Sequence, residues 1–393
     1  MKFRIAARAA VATAALIAPQ LVSAQSVLQY KAQNLVSAAG NILTDTRYST
    51  PVSPAYNGIG SIRINTANGN AYICTGSLLA DGKTVLTAAH CLNPGGATNA
   101  TTSMTVNFYP VNSTAVVMNA ATWTANPLYS GQVIDENDIA VIRLTATAAS
   151  NVSRYDIATT SALDKTFEFV GYGQKGSNGA GVSIGAGFSL ANRKQGANLF
   201  DIKLGDARWA GYWNDPAHPN AIVNNVLFAD FDNGTAGYRS NDGMCWIGEF
   251  FTALNTTECQ SGLGLDEAIA AGGDSGGPGF VDGKIASVTS FGLTYGNGLF
   301  AICQPTSDPA CVKRGPDINN TLNSSFGEFG GFVDVAYQSG WVTTQLDLTS
   351  IGPTVMGPLN PVLATPEPAS IALLATGLVF IGGVARRRNR RET

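Results

Sequence analysis

A serine enclosed by glycines is the feature of this sequence best suited to chemistry. Ser275 lies in the segment Ala271–Phe280, which reads AGGDSGGPGF. A serine hydroxyl becomes an effective nucleophile when a neighbouring base accepts its proton, and the oxyanion that then forms needs hydrogen-bond donors. Glycines let the backbone turn tightly and aim amide groups at one point. Because the same cluster can also form an ordinary turn, the rest of the chain must supply the base.

The candidate base is one of two histidines. His90 follows the apolar segment Val85–Ala89, which favours a buried strand. His218 lies in a proline-rich polar loop and is typical of a solvated residue. A histidine with apolar neighbours can also be a hydrogen-bonded core residue, but the presence of Ser275 favours a catalytic role. We therefore predict that His90 is the base.

An acidic residue is needed to orient the imidazole and to stabilise its protonated form. Asp138 immediately precedes the β-branched apolar segment Ile139–Leu144, which predicts a buried strand. An aspartate in this place can instead cap a turn. Asp135 lies outside the strand, where we expect a solvated turn. Together with His90 and Ser275, Asp138 is the predicted third member of a catalytic triad.

Three blocks of this sequence together resemble the trypsin/chymotrypsin-type serine proteases. They are Thr87–Cys91 (TAAHC), Asp138–Val141 (DIAV) and Gly273–Pro278 (GDSGGP), in the order in which that family has its histidine, aspartate and serine. Lesser blocks agree with the family's inner strands and closing helix: Phe169–Gly173, Ser290–Gly292 and Phe332–Val342. The resemblance covers residues 48–348.

The resemblance implies a mostly β fold of two antiparallel six-stranded barrels with a C-terminal helix. His90 and Asp138 would belong to the first barrel and Ser275 to the second. Composition agrees, because 44 glycines and only 13% charged residues favour a turn-rich β protein. Strands are predicted at Ile62–Ile64, Ala71–Cys74, Thr84–Leu86 and Ser103–Phe108, and an Asp-Gly hairpin at Phe280–Val288. Residues 175–245 are longer and more polar than the family needs, which predicts inserted surface loops.

Further roles follow from the resemblance. The amides of Gly273 and Ser275 would form the oxyanion hole, and Asp274 would pair with an amino terminus released by cleavage. The family's usual start of the mature chain is missing here, and a cut at Arg47–Tyr48 matches it poorly. A different cut, no cut, or a plain N-terminal arm over residues 25–47 therefore stay open.

Substrate-binding residues also follow from the resemblance, and they are Ile269, Ser290, Phe291 and Gly292. Ile269 at the pocket floor predicts hydrophobic or small side chains at the cleavage point, because a buried Lys or Arg would be unpaired there. The family often has a cysteine where this chain has Ala271. A shifted loop would instead bring Asp266 or Glu267 to the pocket.

Export is predicted by the first 24 residues, in which three cationic side chains precede an alanine-rich apolar segment that ends at Ala24. Exported proteins form disulfides, and the even count of six cysteines allows fifteen pairings. The resemblance implies Cys74–Cys91 and Cys245–Cys259, which leaves Cys303–Cys311 as a short loop closure.

A second targeting segment ends the chain. Thr365-Pro-Glu-Pro is followed by the apolar segment Ser370–Ala385, about the minimum length for a membrane span, and by an arginine cluster. This order resembles the bacterial PEP-CTERM sorting tail, residues 365–393, which a membrane-embedded exosortase reads. A plain membrane anchor is the alternative. Residues 349–364, rich in Gly and Pro, predict a linker.

We predict a serine-type endopeptidase that hydrolyses polypeptides, acts at the cell surface or outside the cell, and is a monomer. The formal charge of −3 gives no sign of nucleic-acid binding. No cofactor is expected, although Asp230, Asp232 and Asp242 form an oxygen-rich group that fits Ca²⁺ if it is more than a turn. The alternative function is a non-catalytic surface or matrix-binding protein on this fold. An α/β-hydrolase esterase is disfavoured because its serine precedes its histidine.

Overall fold

The structure is a computed structural model of the whole chain. It describes residues 35–38 (backbone), 53–96, 99–234, 241–248, 259–260, 262–301 and 312–346. The chain divides into two compact units, Met1–Gly357 and Pro358–Thr393, and every described residue belongs to the first. The predicted signal peptide, the linker, the apolar tail and the Cys303–Cys311 pair lie outside the described residues.

Strands dominate the described part of the chain. In chain order they are β1 (Leu35–Ala38), β2 (Ile59–Thr66), β3 (Ala71–Leu78), β4 (Thr84–Thr87), β5 (Thr101–Phe108), β6 (Val116–Ala125), β7 (Ala140–Leu144), β8 (Thr166–Gly171), β9 (Gln174–Gly176), β10 (Val182–Ile184), β11 (Lys194–Leu199), β12 (Ile202–Lys203), β13 (Val226–Asp230), β14 (Ala268–Ile269), β15 (Pro278–Val281), β16 (Lys284–Leu293), β17 (Leu299–Ala301), β18 (Val312–Arg314) and β19 (Phe329–Asp334). The α-helices of the described residues are α1 (Gly243–Gly248) and α2 (Val335–Thr344), and His90 lies on the 3-10 helix Ala89–Leu92.

Six strands form a closed antiparallel barrel in the order β2-β3-β4-β7-β6-β5. Side chains alternate between its inside and its surface, as they must on a pleated strand with one buried face. On β2, Ile62 and Ile64 are fully buried whereas Arg63 between them is exposed. This barrel confirms the predicted mostly β fold, and it contains all five of the strands that the sequence predicts in this half.

A second set of strands forms one antiparallel sheet in the order β11-β8-β15-β16-β19-β13-β12. Its two edge strands, β11 and β12, are consecutive in the chain and separated only by Phe200 and Asp201. Asp201 continues the second pairing, because its amide donates to the Phe228 carbonyl at 2.9 Å. One bent segment therefore lies at both edges of the sheet, which curls into a second, half-closed barrel with six strand positions.

Aromatic side chains fill the inside of this second barrel near the bend. The Phe200 ring stacks on Phe167 with centroids 3.7 Å apart and planes 4° apart. Phe332 from β19 meets the same two rings edge-on at 5.1 and 5.4 Å. Three strand positions thus share one buried aromatic cluster, in a geometry that adds to simple burial of area.

Two expectations need correction. Residues 175–245 are not merely inserted loops, because they supply β11, β12 and β13, and every residue of β13 is buried. The closing helix begins later than Phe332: residues 332–334 still belong to β19. Asp334 ends the strand and caps α2, since its side chain accepts a hydrogen bond from the Ala336 amide at 3.2 Å.

The predicted Asp-Gly hairpin is present between β15 and β16. Asp282 and Gly283 both have positive φ, +50° and +78°, which a tight two-residue hairpin turn requires. Outside the barrels, β1 from the predicted N-terminal arm pairs with β9 and β14 in the four-stranded sheet β10-β9-β1-β14, and β17 pairs with β18. Within the described ranges, the helices are too short or too polar to cross a membrane.

The two barrels come into backbone contact at Gly276. Its φ is +81°, and a Cβ placed there would lie 2.1 Å from Thr87 Oγ1 and 2.4 Å from the Thr75 carbonyl oxygen. Thr75 and Thr87 belong to β3 and β4 of the first barrel. The glycine next to Ser275 therefore lets the second barrel approach the first.

We expect Gly276→Ala to destabilise the protein more than Gly69→Ala, a matched control. Gly69 has the same backbone conformation, φ +82°, but nothing lies within 4 Å of its added Cβ. The free energy of unfolding of the control should fall by about 1 kcal/mol, because alanine is disfavoured in the left-handed conformation. For Gly276→Ala it should fall by about 1–3 kcal/mol more, because the added Cβ overpacks the contact. Urea unfolding of both variants measures the difference. Equal losses would contradict the close approach.

Candidate active site

His90 and Asp138 meet at the ends of two neighbouring strands. β4 pairs with β7 so that Thr87 faces Ala140, which places the residues that follow β4 beside those that precede β7. The Nδ1 atom of His90 lies 2.7 Å from Asp138 Oδ2, and the His90 backbone amide donates to Asp138 Oδ1 at 2.8 Å. Both residues are buried. The carboxylate thus holds the ring and the backbone of the histidine.

The loop before Asp138 is fixed by internal hydrogen bonds. Asp135 Oδ1 accepts from the Asn137 amide at 2.9 Å, and the Asp138 amide donates to the Asp135 carbonyl at 3.1 Å. Gln338 of α2 donates to Asn137 Oδ1 at 3.2 Å. The prediction of a solvated turn at Asp135 is wrong, because its side chain is buried. The pattern Asp-x-Asn was a signal for this side-chain-to-backbone turn.

A further donor reaches Asp138 from the second barrel. Ser290 on β16 places its Oγ within hydrogen-bond distance of Asp138 Oδ2 and 2.8 Å from the Val133 carbonyl oxygen. The sequence predicted Ser290 as part of a substrate-binding strand. In the structure its side chain is buried and contacts Asp138, the predicted acid of the triad, so the two barrels share this carboxylate.

The backbone of Ser275 approaches the other edge of the imidazole across a disulfide. A disulfide joins Cys74 of β3 to Cys91, the residue after His90, as the resemblance implies. Cys91 Sγ lies 3.7 Å from His90 Nε2 and also 3.7 Å from the Ser275 carbonyl oxygen. That carbonyl accepts from the Thr75 amide at 2.8 Å. The structure thus brings the backbone of Ser275 to the Nε2 side of His90.

The turn around Ser275 leaves two amides without a protein acceptor. The amides of Asp274, Gly276 and Gly277 donate to backbone carbonyls at 2.7–2.8 Å. Those of Gly273 and Ser275 donate to no acceptor among the residues that the structure describes. Gly273 has φ +97°, a conformation that disfavours any side chain. These two amides are the ones that the resemblance assigns to the oxyanion hole.

Asp274 points into the protein and not toward a substrate. Its Oδ1 accepts from Lys194 Nζ at 3.1 Å and from the Gly173 amide at 2.8 Å, and its Oδ2 accepts from the Ala271 amide at 3.2 Å. Burial raises the pKa of Asp274, and the Lys194 ammonium opposes that rise. No pattern in the sequence selected Lys194, which is 80 residues from Asp274 and lies on β11.

The predicted specificity residues lie on β14 and β16. Ile269 is buried in an apolar cluster with Phe231 and Phe326. Phe291 is buried and closely approaches Gly331, where a Cβ would lie 2.1 Å from its ring, whereas Gly292 has space around it. Their contact with a substrate stays a prediction.

The acidic alternatives for the pocket lie immediately before β14. Glu267 is buried and accepts from the Asp232 amide at 2.9 Å, so its carboxylate is directed toward that loop. Asp266 is exposed. His218 is also exposed and meets only a local partner, Asp215, with 2.6 Å between Nδ1 and Oδ2.

One group of carboxylates has an arrangement that could bind a metal ion. Oxygen atoms of Asp230, Asp232 and Glu267 lie within 4.8 Å of one another, and all three residues are buried. The sequence predicted Asp230 and Asp232 for such a group, together with Asp242. The structure adds Glu267 from the segment before β14. Asp242 lies instead beside the disulfide Cys245–Cys259, the second pairing that the resemblance implies.

Comparisons with known proteins agree with this architecture. The Trypsin family profile matches residues 52–190, which contain His90 and Asp138, and the PEP-CTERM protein-sorting motif matches residues 364–391. A chymotrypsin-like serine proteinase of Haliotis rufescens is 25% identical over 249 residues, which cover 61% of this chain and 78% of the relative.

Two solved structures are also similar. An HL collagenase is 17% identical and has a TM-score of 0.43, with 76% of this chain and 97% of that chain covered. Neuropsin, a serine protease from mouse brain, is 16% identical and has a TM-score of 0.45, with 76% and 99% covered. A Trypsin domain match over residues 52–190 and a PEP-CTERM protein-sorting motif over residues 364–391 are thus both detected in this chain, which is similar to a chymotrypsin-like serine proteinase.

Proposed function

We propose that this protein is a serine endopeptidase that cleaves polypeptides through His90, Asp138 and Ser275. The observation that carries the proposal is the arrangement around His90. Its Nδ1 is held by a buried carboxylate, and its Nε2 side is next to the Ser275 turn, which keeps two amides free. A base, an orienting acid, a nucleophile and unpaired amide donors at one place are what acyl transfer requires.

The reaction follows from these positions. Ser275 Oγ attacks the scissile carbonyl carbon while its proton passes to His90 Nε2, and Asp138 holds the Nδ1–H tautomer and stabilises the imidazolium. The tetrahedral intermediate collapses, the amine product leaves with the proton from His90, and an ester to Ser275 remains. A water that loses its proton to His90 attacks this ester, and the carboxylic acid product leaves as the Ser275 hydroxyl is restored.

The free amides of Gly273 and Ser275 would bind the oxyanion of both tetrahedral intermediates. Each such donor contributes about 3 kcal/mol of transition-state stabilisation, because it is already oriented when the charge develops. For specificity, Ile269 supports a preference for hydrophobic or small side chains at the cleavage point. A Lys or Arg side chain would meet no exposed carboxylate in that apolar cluster.

We expect Ser275→Ala and His90→Ala to abolish peptidase activity and labelling by a fluorophosphonate probe. Asp138→Asn should lower kcat by about 10⁴, because the amide favours the wrong imidazole tautomer. The measurement is probe labelling of the purified full chain with peptide mass mapping. Ser113→Ala, which changes an exposed serine, is the control and should label like the wild type.

Two outcomes would contradict this proposal. One is undiminished labelling or peptide hydrolysis by a folded Ser275→Ala variant. The other is a folded wild type that neither labels nor cleaves peptides before or after trial proteolysis, which would favour a non-catalytic surface protein on this fold.

The C-terminal motif supports export and sorting to the cell surface. We propose that an exosortase-type enzyme reads Pro366-Glu-Pro368 and removes the tail, so that the peptidase acts on or outside the cell. Replacing these three residues by alanines should retain the chain in the membrane fraction and at higher mass, as measured by fractionation and mass spectrometry. Unchanged mass and distribution would argue for a plain membrane anchor.

A further inference from the structure

The carboxylate of Asp274 is satisfied entirely from within the chain. It is the side chain between Gly273 and Ser275, it is buried, and it accepts from Lys194 and two backbone amides. The residue across the β8–β11 ladder from Lys194 is Gly171. A Cβ at Gly171 would lie 1.9 Å from Asp274 Oδ1, so the missing side chain is what lets the carboxylate reach this place.

Stability does not explain the presence of this ion pair. The Lys194 side chain is only 7% exposed, and burial lowers its pKa from 10.5 to about 8 despite the nearby carboxylate. Because the folded pKa lies below the ordinary value, the protonated lysine destabilises the fold at neutral pH, and this cost fades as the pH rises above about 8. A buried ion pair is weak evidence that the pair stabilises the fold. It is better evidence that the pair holds the neighbouring groups in one arrangement.

We propose that Lys194 is a positioning residue for the oxyanion hole. Its ammonium holds the Asp274 carboxylate inside the protein, and the backbone on both sides of Asp274 is thereby kept in the turn that frees the Gly273 and Ser275 amides. This inference rests on the proposed peptidase function. Since Lys194 already supplies the cation that the family takes from a released amino terminus, the site forms without an activating cut.

The test compares Lys194→Met, which removes the charge, with Lys194→Arg, which keeps it. In the full chain, Lys194→Met should lower the rate of fluorophosphonate labelling and kcat by about 10²-fold, with a smaller change in KM, since oxyanion-hole donors act mainly in the transition state. Lys194→Arg should recover part of the loss. Lys175→Met, at a half-buried lysine that donates to the Ala191 carbonyl, should stay within about twofold of wild type.

A pH profile separates positioning from simple loss of packing. The charged groups that face the Lys194 ammonium are Asp274, which favours the protonated form, and Lys175, which opposes it. Wild-type activity should fall as the pH rises through about 8, when Lys194 loses its proton. Lys194→Arg should keep its activity to higher pH, because a guanidinium stays charged.

Crystal structures of the wild type and of Lys194→Met test the positioning role separately from the peptidase activity. A rearranged 271–275 turn in Lys194→Met supports the positioning role even if the wild type proves inactive, an outcome that overturns only the peptidase proposal. An unchanged turn, wild-type labelling by Lys194→Met, or labelling that appears only after a cut near residue 47 would each overturn the inference.

A separate observation concerns the carboxylates of Asp230, Asp232 and Glu267. Four of their oxygens already accept hydrogen bonds from backbone amides: one of Asp230 from Met244 at 2.8 Å, both of Glu267 from residues 232 and 263 at 2.9 and 3.3 Å, and one of Asp232 from Gly234. Asp232 Oδ2 is fully buried and has no hydrogen-bond partner among the residues that the structure describes. In the described residues, no lysine or arginine forms an ion pair with any of the three.

Buried carboxylates this close must be protonated, paired with a cation or bound to a metal. Burial, together with neighbouring acids, raises the pKa of Asp230 and of Glu267. The geometry points to a Ca²⁺ site at Asp230, Asp232 and Glu267, because hard oxygen donors with negative charge are what this ion prefers. The site would tie the end of β13 to the segment that leads through β14 to the Ser275 turn.

Calorimetric titration of the full chain with CaCl₂ after EDTA treatment tests this site. We expect one ion per chain and a rise in Tm of about 5 °C at saturation. Asp232→Asn should abolish both effects, whereas Asp266→Asn, at the exposed neighbouring acid, should keep them. No heat of binding with an unchanged Tm would overturn the proposal. Greater stability of Asp232→Asn than of wild type in saturating Ca²⁺ would also overturn it, in favour of protonated carboxylates.

Discussion

The buried carboxylate of Asp138 is the constraint around which this domain is arranged. A carboxylate removed from water must receive hydrogen bonds or lose its charge. Two donors come from His90, through its ring and its backbone, and a third group, the Ser290 hydroxyl, comes from the second barrel. The need to satisfy one acid therefore fixes the imidazole and also fixes how β16 lies against the end of β7.

Two glycines, which have no side chains, shape the backbone next to Ser275. Gly276 brings the second barrel against Thr75 and Thr87, and Gly273 adopts a φ that disfavours any other residue. The Cys74–Cys91 disulfide lies between the two, against His90 on one side and the Ser275 backbone on the other. Close approach, together with the hydrogen bond from the Thr75 amide to the Ser275 carbonyl, thus positions the Ser275 backbone.

The sequence predicted the parts of the site that are local in the chain. In each predicted triad block, the candidate residue is adjacent in sequence to the residues that set its backbone conformation. Examples are the glycines around Ser275 and the apolar strand after Asp138. What depends on strand order escaped prediction. The bend at Phe200 separates β11 from β12, which lie at opposite edges of one curled sheet, and no local sequence pattern predicts that placement. A turn at Asp135 was predicted but its burial was not, and Gln338 of α2, which donates to the neighbouring Asn137, lies about 200 residues later.

Lys194 shows why such long-range contacts matter for function. In the role proposed for Lys194, an inward Asp274 keeps its neighbours' amides free, and the cation that faces its buried carboxylate comes from outside the adjacent sequence. The register that pairs Lys194 with Gly171 supplies that cation and also the space for the carboxylate. At Asp230, Asp232 and Glu267 the chain has a comparable concentration of buried acid, yet its described residues bring no lysine or arginine to it. A buried carboxylate needs a compensating positive charge at both places. Lys194 of the same chain supplies it beside Ser275, and at the carboxylate cluster the charge would come from a metal ion in solution.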